Sequence, residues 1–266
     1  MAKLKKAVSP VVINKFRIKQ YLDFLWAMTE REFKARYKRA VFGFLWVVIN
    51  PLLQMLIIGI IFSFFIKIPN YFLFLFTGLL PWTFFSLSIS KATPSFVFER
   101  SLLQKAKFPK ETIPLSIIFS SFLHLLISLV LFIAVLVVIG KLKFPNIFLM
   151  TPALVWLLAF TIGCSLFTST LQVKYRDINF FVQTVLTLWF YASPVLYSLP
   201  LIPAGLGPMF ALNPLTSILE LFHLAVLGQG MLNIQTIAVN LIISIVVLCL
   251  GIVIYKKQHR YFVDWL

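Results

Sequence analysis

Residues 22–51 read LDFLWAMTEREFKARYKRAVFGFLWVVINP, a charged amphipathic stretch that runs straight into an apolar one. At helical spacing Leu22, Leu25, Trp26, Thr29, Phe33, Tyr37 and Val41 share one face. Glu30, Arg31, Glu32, Lys34, Arg36, Lys38 and Arg39 occupy the other. Glu30 precedes Lys34 and Glu32 precedes Arg36 by one turn, pairs that each add about 0.2–0.5 kcal/mol to a helix. Such a helix lies at the edge of a bilayer, apolar side among acyl chains and cations among anionic headgroups. No charged side chain occurs from Val41 to Ile66, so there the chain passes from lying on a membrane to crossing it. Residues 22–39 are therefore expected to form an interface helix, with 1–20 as a loosely ordered basic tail.

Composition agrees with that reading. Of the 266 residues, 61% are hydrophobic and only 12% charged, about half the share found in a soluble domain. The net charge of +16 does not point to nucleic acid, because the cations flank apolar runs, where topology and anionic lipid account for them. The two cysteines, Cys164 and Cys249, lie inside apolar runs and make neither a disulfide framework nor a metal site. The basic N-terminus lacks the apolar core and small-residue cleavage site of a secretory signal. The expectation is a single all-α polytopic membrane domain over residues 1–266.

Six spans fit the uncharged runs, near 43–66, 70–92, 113–139, 147–172, 178–199 and 234–255. With the N-terminus inside, 20 of the 24 Lys and Arg fall on the cytoplasmic side. Only Lys67, Lys141 and Lys143 fall outside, and Lys91 stays in the inner half of the second span. The positive-inside rule then places both termini in the cytoplasm and the chain in the cytoplasmic (inner) membrane.

Two connections stand out. Residues 199–235 carry no Lys or Arg and are broken by Pro200, Pro203, Gly205, Gly207, Pro208 and Pro214. A helix over 215–227 would be about 20 Å long, too short to cross. Re-entrant helices dipping in from the outer face fit better, with Glu220 turned away from lipid. On the inner side, residues 96–116 read FVFERSLLQKAKFPKETIPLS. A short helix around 99–107 gives Leu102, Leu103 and Phe108 an apolar side too small for its own core, which suits a knob for another protein's groove.

Catalytic equipment is sparse. The eight carboxylates form no acid–base pair, and His124, His223 and His259 lack metal-ligand spacing. There is no G-x-x-x-x-G-K-[ST] loop to cradle a nucleotide. The spans offer essentially no intramembrane acid for ion-coupled transport, so the energy must come from elsewhere. They do offer 29 Phe, 8 Tyr and 6 Trp, and Trp46, Phe64, Trp82, Phe85, Trp189 and Tyr191 are candidates for the wall of a conduit that presents flat apolar rings to sugars.

The strings EREFKARYKRAVFGFLWVVINP (30–51), GLLPW (78–82), LLQKAKFPKETIPLS (102–116), YRDI (175–178), ASPVLY (192–197) and LNPL (212–215) together resemble the permease subunits of ABC exporters for cell-surface polysaccharides. That family includes the lipid-linked O-antigen, teichoic acid and capsule exporters. The resemblance implies a homodimer of six-span permeases beside two separate ATP-binding subunits, which would hold the ATP and magnesium; this chain would hold no cofactor. It implies that residues 98–110 couple to the ATPase through Glu99, Leu102, Leu103, Lys105, Lys107 and Phe108. It implies that 203–228, with Pro203, Pro208, Pro214 and Glu220, form gate helices at the outer mouth. The substrate would be a glycan on an undecaprenyl diphosphate-type lipid, whose diphosphate Arg31, Lys34, Arg36 and Arg39 are suited to attract. Among alternatives, a drug or small-lipid exporter would share this architecture, whereas a membrane-embedded transferase would act without an ATPase.

Overall fold

The computed structural model describes residues 10–38, 43–105, 108–142, 144–203, 205, 207–230 and 233–262, and these are helical with no strand among them. In chain order the helices are α1 (Pro10–Tyr37), α2 (Trp46–Ser63), α3 (Tyr71–Ala92), α4 (Ser95–Phe98), α5 (Arg100–Lys105) and α6 (Thr112–Val138). They continue as α7 (Met150–Lys174), α8 (Ile178–Tyr191), α9 (Gly207–Ala211), α10 (Pro214–Leu227) and α11 (Ile234–Gln258). Five helices are long and apolar enough to cross a membrane: α2, α3, α6, α7 with its preceding turn, and α11. The chain is a multi-pass membrane protein.

The expected span over 178–199 is a helix only as far as Tyr191, about 21 Å by helical rise. Pro194 ends it, since proline disfavours the helical region for the residue before it. The segment after Tyr191 folds back instead. Val195 N donates to Ser193 O at 2.7 Å, and Ser193, Pro194, Val195 and Leu196 are all buried.

α3 is the centre of the bundle. Leu75, Leu79, Phe85 and Ile89 are buried in one apolar core with Ile118 and Leu136 of α6, Leu157 and Phe160 of α7, and Ile218 and Phe222 of α10. α7 and α11 approach even more closely. A Cβ on Gly251 would stand 2.4 Å from Gly163 O, and one on Gly163 would stand 2.6 Å from Leu248 Cα. Without a hydrophobic drive between helices in lipid, such small-residue crossings hold spans together by backbone-level packing.

Pro51 inside α2 cannot donate to the carbonyl four residues back. Ser128 of α6 replaces that donor, its hydroxyl reaching Val47 O at 3.3 Å. The exchange fixes where α2 meets α6.

α1 already begins at Pro10, so much of the expected tail is helical. Its pairings run in step with the chain entering α6. Phe24 packs on Phe108 with ring centroids 5.3 Å apart, Phe33 stacks on His124 at 4.7 Å, and Arg36 Nη2 donates to Ser121 Oγ at 3.1 Å. The single apolar face expected for this helix is in fact divided. Leu25, Met28 and Thr29 are buried, whereas Leu22 and Trp26 stay exposed on another side. One strip packs on the bundle and the other stays exposed.

Candidate functional site

At the end of the bundle that carries most of the cations, a second apolar cluster joins α1, the α4–α5 segment, the start of α6, and the ends of α7 and α11. Its members are Met28, Phe96, Leu103, Ile113, Leu166, Val173, Tyr255 and Phe262. Polar ties surround it. Arg31 Nη2 bridges Glu32 at 3.0 Å and Glu99 at 2.5 Å, tying α1 to the α4–α5 junction. Burial works against the charged form of Arg31, but the hydrogen bonds to Glu32 and Glu99 outweigh it and its pKa is raised. Tyr255 donates to Glu111 Oε2 at 2.6 Å, and Lys110 Nζ donates to His259 O at 3.0 Å. Gln172 closes the α7–α8 turn, donating to Arg176 O at 3.0 Å and accepting from Asn179 N at 2.7 Å. Burial and the nearby Glu111 charge both raise the Tyr21 pKa, so that phenol stays neutral where α1 passes this cluster.

This arrangement corrects the expected orientation of the knob. Leu103 is 5% exposed, and Leu102 and Phe108 pack half-buried beside it, so all three face inward. Sequence periodicity marked an apolar side without saying what it would cover, and α1, α7 and α11 cover it. Phe98, absent from the expected set, is 79% exposed at the end of α4. Arg100, Ser101, Gln104 and Lys105 are exposed around it, and Glu99 is half-buried in its bridge. Lys107 lies outside the described residues. Among the described residues, the outward surface of this segment is one phenyl ring in a polar, basic rim.

Of the four cations read as phosphate ligands, the three described ones do not form one cluster. Arg31 is held by Glu32 and Glu99, and Lys34 by Glu30 one turn back. The expected pairing of Glu32 with Arg36 is replaced by Glu32 with Arg31. Arg39 lies outside the described residues. Arg36 turns into a cavity between α1, α2, α3 and α6.

The candidate wall aromatics also divide. Phe85 stacks on Phe160 at 5.5 Å and meets Trp189 edge-on at 5.3 Å; Trp82 packs on Phe190 at 5.4 Å. Trp82 and Phe85 are buried and Trp189 is half-buried, so these rings pack within one chain. Phe64 and Tyr191 are 80% and 60% exposed, and Trp46 is half-buried at the cavity edge. A lipid-soluble core and a lumen wall both call for aromatics, and sequence does not separate them.

At the opposite end, α10 lies buried among α3, α7 and α11, including Pro214 at its first turn and Glu220 at 4% exposure. Pro203 and Pro208 are exposed on the segment leading to it. A polar relay fixes α10: Asn240 Nδ2 donates to Ser217 Oγ, Ser244 Oγ donates to Asn240 O, and Trp156 Nε1 donates to Ser244 Oγ, each at 2.7 Å. His223 stacks on Phe74 at 3.9 Å and its Nε2 lies 3.1 Å from Phe74 O, a packing role.

Asn213 caps α10. Its Oδ1 accepts from Leu215 N at 3.1 Å and Trp189 Nε1 at 3.0 Å, while Nδ2 donates to Ala192 O at 3.0 Å and Ser193 Oγ at 2.9 Å. One amide thus locks α10 to the end of α8 and brings the ASPVLY and LNPL strings together in space. Asn213→Leu is expected to cost about 2–4 kcal/mol, from the lost cap and the stranded indole N–H. A thermal melt in detergent and protease access to residues 199–230 measure it; wild-type values in both would rule out the lock.

The match with known proteins follows this geometry. The family model described as "ABC-2 type transporter" covers residues 23–227, from inside α1 to the end of α10. The chain belongs to the ABC-2 type transporter family. It is 34% identical over 266 residues to the O-antigen export system permease protein RfbA of Klebsiella pneumoniae, covering 94% of this chain and 97% of that protein. It is 30% identical over 249 residues to the protein of the same name from Myxococcus xanthus, covering 92% and 96%. Within the family-matched region lie the capped α10 and most of the charged end, namely α1 from Asp23, the α4–α5 segment, the start of α6 and the end of α7, while the end of α11 falls beyond it. Among the described residues no group of three or more His, Cys, Asp or Glu is placed to hold a metal.

Proposed function

We propose that this chain is the permease subunit of an ATP-driven exporter that moves lipid-linked, O-antigen-type polysaccharide across the cytoplasmic membrane. The observation that carries the reading is the near full-length likeness to permeases of O-antigen export systems. Two copies form the channel beside two copies of a separate ATPase, and the charged end with both termini faces the cytoplasm. α8 is too short to cross alone and completes the sixth crossing together with residues 192–201, and α9 with α10 re-enters from the outer face as the gate.

Work enters at Phe98, with Arg100 and Lys105 meeting an acidic rim on the ATPase. The buried Leu103 and the Arg31–Glu99 bridge carry the push into α1 and the apolar cluster. α7 and α11, in backbone contact at Gly163 and Gly251, transmit it as a rigid pair toward α10. The exposed rings of Phe64 and Tyr191, with Trp46, are the candidates left for a wall shared between copies.

A strain lacking the chain is expected to accumulate a lipid-linked polymer on the inner leaflet, and export returns only when chain and ATPase are both supplied. Movement or chemical change of such a lipid by the purified chain alone, without ATPase, would overturn the reading.

A further inference from the structure

The cavity that receives Arg36 has a volume of about 280 Å³ and lies between α1, α2, α3 and α6. Its lining has two characters. Arg36, Asn50, Thr83, Ser121, His124 and Ser128 contribute a guanidinium, an amide, an imidazole and three hydroxyls, of which that of Ser128 is already given to Val47 O. Trp46, Phe84 and Leu87 supply an apolar flank. No carboxylate lines it among the described residues. Donors that converge in the absence of acid favour an anion, and guanidinium matches phosphate oxygens in geometry as well as charge.

Depth narrows the ligand. Ser121, the hydrogen-bond partner of Arg36, lies nine residues past the start of α6 at Thr112. That is roughly 13 Å along the helix axis. Residues 112–138 carry no charged side chain, so Arg36 is drawn alongside an otherwise uncharged span rather than held out with the surface cations. A cation at that level is costly beside hydrocarbon unless it faces polar partners or an anion. The cavity supplies the first and has room for the second.

We propose that this cavity is a binding site for the phosphate of a membrane lipid, with Arg36 as its principal ligand and Ser121, Asn50 and His124 around it. The first carbons of the lipid chain lie along Trp46, Phe84 and Leu87. Two lipids carry that chemistry: an anionic phospholipid of the inner leaflet, or the diphosphate lipid of the exported glycan. Only the second source rests on the export reading above.

The full-length chain in detergent is titrated separately with undecaprenyl diphosphate, phosphatidylglycerol and phosphate-free dioleoylglycerol, and bound lipid is counted by native mass spectrometry. Saturable binding of one phosphate-bearing lipid per chain is expected, with dioleoylglycerol weaker by about tenfold or more. Arg36→Gln is expected to weaken it about tenfold, Arg36→Lys to restore part, and Leu87→Trp to block the cavity without changing charge. Lys19→Gln, which removes an exposed cation from the same helix, leaves binding unchanged. Tighter binding of undecaprenyl diphosphate assigns the site to the substrate lipid; tighter binding of phosphatidylglycerol assigns it to the bilayer. Either result supports the site whether or not the strain lacking the chain accumulates polymer. The proposal is overturned by no saturable phosphate binding, by equal losses in Lys19→Gln and Arg36→Gln, or by folded Arg36→Gln and Leu87→Trp proteins that bind like wild type.

Discussion

Replacing Gly251 by Val is expected to remove most of the folded, monodisperse protein recovered from membranes. A Cβ there would stand 2.4 Å from the carbonyl oxygen of Gly163, 3.1 Å from its carbonyl carbon and 3.2 Å from its Cα. All three are backbone atoms of a long helix, so no rotamer change relieves the clash. Ordinary overpacking costs about 1–3 kcal/mol because side chains give way; here the helices themselves must part, and the cost is larger. Gly163→Val should behave alike, since its Cβ meets Leu248 backbone at 2.6 Å. Gly205→Ala, where nothing lies within 4 Å, is the matched control and should melt like wild type. Size-exclusion profiles and melting midpoints of the three proteins decide the matter. A Gly251→Val protein that melts within a few degrees of wild type would mean that α7 and α11 are not packed through these glycines.

How much of this was legible in the sequence follows from what lipid does to pattern. Runs without charge gave five of the spans within a few residues, because one charged side chain near mid-membrane is costly enough to punctuate the chain. Arg31 and Glu99 were both singled out, yet not as partners, since a bridge across 68 residues leaves no local trace. Faces were harder still. In water, periodicity tells inside from outside because only one side is apolar. In a bilayer both sides are apolar, so Trp82 in the core and Phe64 on the surface read alike. The same ambiguity merged the buried strip of α1 with the exposed Leu22 and Trp26. Turn chemistry carried signals that the expected span over 178–199 passed over: Pro194 ends α8 early, and Asn213 before Pro214 is a recognisable helix start.

The sharpest functional contrast lies between two neighbours on the α4–α5 segment. Phe98→Asp is expected to leave the membrane bundle intact and to abolish productive docking of the ATPase. Leu103→Asp is expected to damage the bundle itself. Phe98 is 79% exposed, so a carboxylate there stays in water and costs the isolated chain little. Leu103 is 5% exposed within the cluster that includes Met28, Phe96 and Phe262, so a carboxylate there is buried among apolar groups. An aromatic anchor seated in a partner's pocket is commonly worth about 2 kcal/mol or more, which is roughly a 30-fold loss of affinity on removal. The added negative charge beside Arg100 and Lys105 also weakens their attraction to the acidic rim proposed above for the ATPase. Pull-down of the ATPase with each purified variant, together with its melting midpoint, separates docking from folding. If Phe98→Asp holds the ATPase as wild type does while remaining folded, the force enters elsewhere on this end of the bundle. If Leu103→Asp folds normally, the inward packing of α5 is wrong, and with it the route from the ATPase through Arg31 and Glu99 into α1.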